Sequence, residues 1–247
     1  VQDSDLFTSI ITSLLLSGCR LAVGSFDECT TNADCAGRGA ELECVDKLCV
    51  SLPALDERCT RIGDTSANAL VLGSVLPLTR TDGTQNLTGV ARLQALQLAI
   101  EQMNPPQRQG VRGRPIGLLS CDSTSRADVV ATLSQHLTRR GVLALFSSTS
   151  GETIASSRVT VPANTVLMSV SATAAEITDL ADGAPDAGPQ EPGLVWRTAA
   201  PDSLQARVLS RFLVDAGTPM TAVVHVNDTY GQGLAVAFGR EYPPAKQ

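Results

Sequence analysis

Aromatic residues make up only 3% of the 247-residue chain, and 19 Lys and Arg stand against 25 Asp and Glu, for a net charge of −6. The cations are scattered and form no basic stripe. An acidic chain short of stacking platforms makes a poor nucleic-acid surface, so no nucleic-acid partner is expected. Histidine is scarcer still. His136 and His225 are the only two, far apart and without a neighbouring ligand pattern, which argues against a His-based metal site or a Ser-His triad. Ser150-Gly151 does not complete a GxSxG elbow. Gly231-Gln232-Gly233 lacks the third glycine of a dinucleotide fingerprint, since Val236 stands in its place. Neither an enzyme nor a bound metal or cofactor is expected.

Long apolar runs are also lacking near the start of the chain. Leu6 to Leu16 is too short to span a bilayer as a helix but has the length of a signal-peptide core. Leu15-Leu16-Ser17-Gly18-Cys19 follows and resembles the bacterial lipobox, in which the cysteine becomes a lipidated N-terminus, so Cys19 is the expected lipid anchor to a membrane surface. The stretch Val1 to Asp5 carries no positive charge, unlike the usual basic region before such a core. The chain starts at Val1 rather than Met, and it reads as cut at both ends.

Cysteine is where the chain is well supplied. Seven are present, and setting Cys19 aside for lipid leaves an even six. Cys29, Cys35, Cys44 and Cys49 crowd into a polar stretch with too few apolar residues for a core, which predicts a small disulfide knot of open connectivity. Zinc is disfavoured because the spacings give no two close CxxC pairs.

With 43% hydrophobic residues the chain can bury a core. From Leu70 onward strands and helices alternate. Strands are expected at Leu70 to Leu76, Ile116 to Ser120, Val142 to Phe146, Thr165 to Ser169, Leu194 to Arg197 and Thr221 to Val226. A helix with Val90, Leu93, Leu96, Ile100 and Met103 on one face ends at Asn104-Pro105-Pro106. A second is capped by Ser125 and Asp128 and turns Val130, Leu133 and Leu137 inward. A third runs to about Arg158, Asp202 and Gln205 cap a fourth, and a last follows Asn227 to Gly231. This alternation predicts an α/β fold with a parallel sheet between helices. In Leu143 to Thr153 an apolar strand empties into hydroxyl side chains around Gly151 at a helix start, the place where open α/β sheets bind ligands. A plain helix cap is the other reading. Glu152 and Glu176 each fall in or near a first helical turn, where an acid is favoured structurally.

Four blocks resemble the type I periplasmic binding proteins, particularly the branched-chain amino-acid receptors and related extracellular ligand-binding domains: Leu72 to Asn104, Ser147 to Thr153, Met168 to Thr178, and Val195 to Ala206 followed by His225 to Ala235. The resemblance implies two α/β lobes closing on a solute. Ser148, Thr149, Ser150, Ser171, Ala172 and Thr173 of the first lobe would hold the ligand, and Tyr230 of the second would cover it. It also implies a disulfide between Cys59 and Cys121, the alternative being that Cys59 joins the small module and Cys121 is a buried thiol. The organisation expected is a signal and lipobox segment at 1–19, a cysteine-rich module at 20–60, a first lobe at 61–201 and an incomplete second lobe at 202–247. The implied function is an exported lipoprotein, periplasmic or at the outer membrane, binding an amino acid or similar small polar solute for an ABC transporter permease or a sensor. The alternative is an outer-membrane lipoprotein of the same fold that binds protein and regulates cell-wall synthesis.

Overall fold

The computed structural model describes residues 27–31, 34, 35, 38, 42–66, 68–105, 107, 110–183, 192–218 and 220–242. The apolar run from Leu6 to Leu16 and the lipobox with Cys19 lie outside the described residues. The chain divides into two compact units, Val1–Leu52 and Pro53–Gln247. Among the described residues no helix is long and apolar enough to cross a membrane.

The first unit is built on a two-stranded antiparallel hairpin of β1 (Leu42–Val45) and β2 (Leu48–Ser51). Asp46 and Lys47 both take positive φ, 49° and 68°, as a two-residue hairpin turn of matching twist requires. Cys44 and Cys49 sit opposite each other in the ladder, and each is tied to a different upstream cysteine, Cys29–Cys44 and Cys35–Cys49. These crossed staples hold a segment that has little apolar surface of its own to bury.

The second unit is a six-stranded sheet in the order β3 (Cys59–Gly63), β5 (Ile116–Asp122), β4 (Leu70–Leu76), β6 (Ala144–Ser147), β7 (Val166–Ser169), β8 (Val195–Arg197). All neighbours are parallel except β3, which runs antiparallel along β5 and places Cys59 opposite Cys121. A disulfide joins that pair. Crossovers are made by α1 (Leu87–Met103), α2 (Ala127–Arg139) and α3 (Ser150–Thr160).

Alternation along the strands sends two sets of side chains to opposite faces. Val75, Leu119, Cys121, Leu145 and Leu167 meet Val130, Leu133 and Leu137 of α2 in the main core. On the other face Leu72, Leu118 and Phe146 meet Leu96, Ala99, Ile100 and Met103 of α1, leaving a small cavity of about 90 Å³ between them. Gly89 lets α1 start close to the sheet, since a Cβ there would lie 2.0 Å from the carbonyl oxygen of Pro77.

Three local expectations are corrected. Ser125 does not cap α2: Thr124 and Ser125 take φ of 50° and 58°, which turns the Ser125 hydroxyl away from the helix, where it donates to Thr79 O (3.2 Å). The helix follows Arg126 with no side-chain cap bond. The fourth helix, α4 (Asp202–Asp215), likewise has Pro201 as its cap residue, and Asp202 is its buried first residue. Residues 221–226 form no strand. A strand needs a neighbour for its ladder, and among the described residues none is offered, so Val224 stands 96% exposed. The last helix, α5 (Thr229–Glu241), is capped by Asp228, whose carboxylate accepts from Gly231 N (2.7 Å).

Candidate functional site

Strand β4 lies between β5 and β6, so the crossover on leaving β5 must jump over β4 and the sheet order changes direction there. At such a switch point the loops beyond the carboxyl ends of the strands part and leave a crevice. The loop after β6 carries Ser148 and Thr149 into α3, and the loop after β7 carries 170–174 beside it.

The two loops are stapled together by hydroxyls. Ser148 is fully buried, and its carbonyl accepts from Ser169 Oγ (3.1 Å) and Ser171 Oγ (2.9 Å). Ser150 Oγ accepts from Thr173 N (3.3 Å) and Ala174 N (3.2 Å), and Ala172 N donates to Ser169 Oγ (3.0 Å). Thr149 and Glu152 form a capping box in which Thr149 N donates to Glu152 Oε2 (3.0 Å) and Glu152 N to Thr149 Oγ1 (3.3 Å). The helical ladder then begins at Thr153 N, which donates to Thr149 O. The amides of Ser150 and Gly151, the first two of α3, are the ones that neither capping box nor ladder uses. They form a donor pair at the positive end of a helix.

Charged groups frame this pair. Arg92 of α1 donates through Nη1 to Ser148 Oγ. Burial pulls its guanidinium below the ordinary value, and the Glu152 charge opposes that. Glu152 is 5% exposed and accepts from Ser123 Oγ through Oε1. Burial raises its carboxyl, against the pull of Ser123, Thr149 and Arg92. On the far side, Asp202 N donates to Thr173 O (2.7 Å), and its side chain is 1% exposed with neither carboxylate oxygen completing a hydrogen bond among the described residues. Burial raises that carboxyl too; the nearby Thr173 hydroxyl and the Arg197 charge pull it back. Arg197 is occupied elsewhere, donating to Ala174 O (2.8 Å) and to Thr178 Oγ1.

The structure thus brings Ser148, Thr149, Ser150, Ser171, Ala172 and Thr173 together on two hydrogen-bonded neighbouring loops. It commits the hydroxyls of Ser150 and Ser171 to holding the loops, while that of Ser148 accepts from Arg92. Tyr230 lies apart from them, lining an open apolar groove of about 450 Å³ with Leu209, Leu213, Val226 and Phe238. Its neighbour Thr229 is the residue that reaches the loop: a Cβ on Gly151 would sit 3.3 Å from Thr229 Oγ1.

Sequence reasoning passed over Arg92, Ser123 and the site role of Asp202. Arg92 did leave a signal, since it stands three residues after Gly89 and four before Leu96, on the inward face of α1 where a cation is costly. Ser123, just after β5, and Asp202, at the start of α4, come from distant parts of the chain that only the sheet topology draws together.

A sequence profile of the family described as periplasmic binding protein matches residues 70–242. The chain belongs to that family. Periplasmic binding proteins of known structure share its fold. An ABC transporter substrate-binding protein from Desulfitobacterium hafniense in complex with Leu is 23% identical with a TM-score of 0.54, over 70% of this chain and 47% of that one. A leucine-binding protein from Thermotoga maritima MSB8 is 18% identical with a TM-score of 0.56, over 70% and 45%. A solute-binding protein of an ABC transporter from Rhodopseudomonas palustris BisB5, in complex with 3,4-dihydroxy benzoic acid, is 16% identical with a TM-score of 0.57, over 71% and 44%. The chain therefore spans less than half the length of these structures. A search of curated proteins finds no match.

Proposed function

We propose that the protein binds an amino acid or a similar small polar solute outside the cytoplasm and presents it to an ABC transporter permease or a sensor. The observation that carries this reading is the amide pair of Ser150 and Gly151, which has no partner among the described residues and sits at the sheet's switch point in a loop tied to its neighbour through the hydroxyls of Ser150 and Ser171. A carboxylate docked there gains charge-assisted hydrogen bonds at a helix start. Neither oxygen of the buried Asp202 carboxylate beside Thr173 completes a hydrogen bond among the described residues, and a bound ammonium group supplies one. An α-amino acid carries both groups at once. The ligands named for the D. hafniense and R. palustris proteins, Leu and 3,4-dihydroxy benzoic acid, both bear a carboxylate. Thr229, at the start of α5 and next to Gly151, is the residue we assign to covering the solute, with Tyr230 following it in the chain. The Leu15-Leu16-Ser17-Gly18-Cys19 string supports attachment to the membrane through a lipid on Cys19.

Native purification of the full-length protein followed by mass spectrometry of released small molecules tests the reading, together with thermal denaturation across an amino-acid panel. A ligand at a hundred times its Kd stabilises the folded state by about 2.7 kcal/mol. The cognate solute is expected to raise the unfolding midpoint by several degrees. A protein that releases no solute and that no member of the panel stabilises refutes it.

A further inference from the structure

Glu152 differs from an ordinary helix-capping acid in being buried and in what lies next to it. Its Oε1 accepts from Ser123 Oγ and its Oε2 from Thr149 N and Thr149 Oγ1 (3.2 Å). Among the charged groups of the described residues, Arg92 is the one that acts on it. Arg92 in turn spends one donor, on Ser148 Oγ, and Glu152 is the charge that acts on it. The two therefore flank the ligand loop, guanidinium at Ser148 and carboxylate at the amide of Thr149, one residue apart along the chain. We propose that Glu152 is the counter-charge of Arg92, a positioning residue that keeps the ligand site near electrical neutrality and sets how strongly it accepts a solute bearing an additional anionic group.

This rests on the reading of the Ser148 to Ser150 loop as a solute site. Among the described residues Arg92 uses only the donor on Ser148 Oγ, so a second carboxylate brought to it gains charge-assisted hydrogen bonds. Opposing that gain is the Glu152 charge behind the loop, in a place where water and salt screen poorly. Burial already disfavours the ionised form of Glu152, and an arriving anion disfavours it further. Binding of such a solute accordingly favours the protonated form of Glu152, and its affinity rises as pH falls. A solute with a neutral side chain brings an α-carboxylate whose charge its own ammonium offsets, so its linkage is weaker.

The test is calorimetric titration of the full-length protein and its Glu152→Gln variant with L-glutamate and L-leucine, at about pH 8 and about pH 6. Glutamine can rebuild the capping box by accepting from Thr149 N through its carbonyl oxygen, while its amide N–H2 donates to Ser123 Oγ, which turns to accept. At the higher pH the variant is expected to bind L-glutamate about tenfold more tightly than the wild type, with L-leucine changed by less than about threefold. At the lower pH the wild type approaches the variant. Mere structural damage cannot produce this result, because it weakens both ligands. L-glutamate affinity that falls or stays level in the variant, while either amino acid binds, overturns the proposal and leaves the solute reading intact. Failure of both amino acids to bind either protein counts against the solute reading and removes the proposal with it. Should the variant not fold, wild-type titrations in buffers of different ionisation heat decide. Greater proton uptake with L-glutamate than with L-leucine supports the proposal, and equal uptake overturns it.

Discussion

His136 Nε2 accepts two hydrogen bonds, from Asp56 N (3.2 Å) and Arg140 Nε (3.1 Å), so the ring must be neutral with its proton on Nδ1. Burial and the Arg140 and Arg139 charges lower its pKa from the ordinary 6.5, with Asp56 opposing. Because the folded value lies below the unfolded one, the stability that His136 contributes is complete above about pH 6.5 and is lost as pH falls through the folded value. Urea midpoints measured from about pH 7.5 down to about pH 5 should fall less steeply for His136→Gln than for the wild type, since an amide oxygen accepts at either pH. Asp202 has the opposite sign. Its carboxyl is raised by burial, so its ionised form burdens the fold at neutral pH. Asp202→Asn should raise the unfolding midpoint at pH 7 while weakening amino-acid binding, a split that thermal scans with and without solute will read. At this scale the sequence was only partly legible. The acid at Glu152 could be placed in a first helical turn, and the hydroxyls around Gly151 could be recognised as a loop. Which of those hydroxyls face a ligand and which staple the backbone depends on hydrogen bonds between residues 20 or more positions apart, such as Ser171 to Ser148 and Thr173 to Ser150.

Elements were easier to read where one period governs them. Val130, Leu133 and Leu137 recur at helical spacing and are all fully buried under the sheet, while apolar runs such as Leu70–Leu76 became central strands with both faces covered. The failures are where tertiary partners override local chemistry. Ser125 has the right side chain for a cap and the wrong backbone, and residues 221–226 have strand composition but no described neighbour to pair with. Helix α4 is similar in kind: Ala206 and Ser210 face inward, while Leu204, Val208, Leu209 and Phe212 are 41–68% exposed. The tight seat of α1 yields a direct prediction. Gly89→Ala forces a methyl group against the Pro77 carbonyl, a backbone atom with nowhere to go. It should cost about 2 kcal/mol in urea unfolding. Because α1 carries Arg92, the same change should also weaken solute binding.

Across the second unit, the bond between Cys59 and Cys121 fastens the one antiparallel strand to the edge of an otherwise parallel sheet and closes a loop with a sequence separation of 62. Loop-closure entropy of that size corresponds to about 4 kcal/mol. Replacing both cysteines by serine should therefore lower the unfolding free energy by about that amount, with the parallel sheet retained in far-ultraviolet circular dichroism. Bridging these two positions was implied by resemblance rather than by spacing, because six cysteines admit many pairings and only the strand register makes these two opposite.

The hydroxyl staple between the loops after β6 and β7 also bears on timing. Ser169, Ser171 and Ser148 hold the donor pair of α3 in place before any solute arrives, so association does not wait for the loop to fold around its ligand. Encounter should then run at the ordinary speed of a small molecule meeting an open crevice, nearly the same for good and poor solutes. On the proposed reading, discrimination falls to residence time, and selectivity lies in how slowly the right solute leaves.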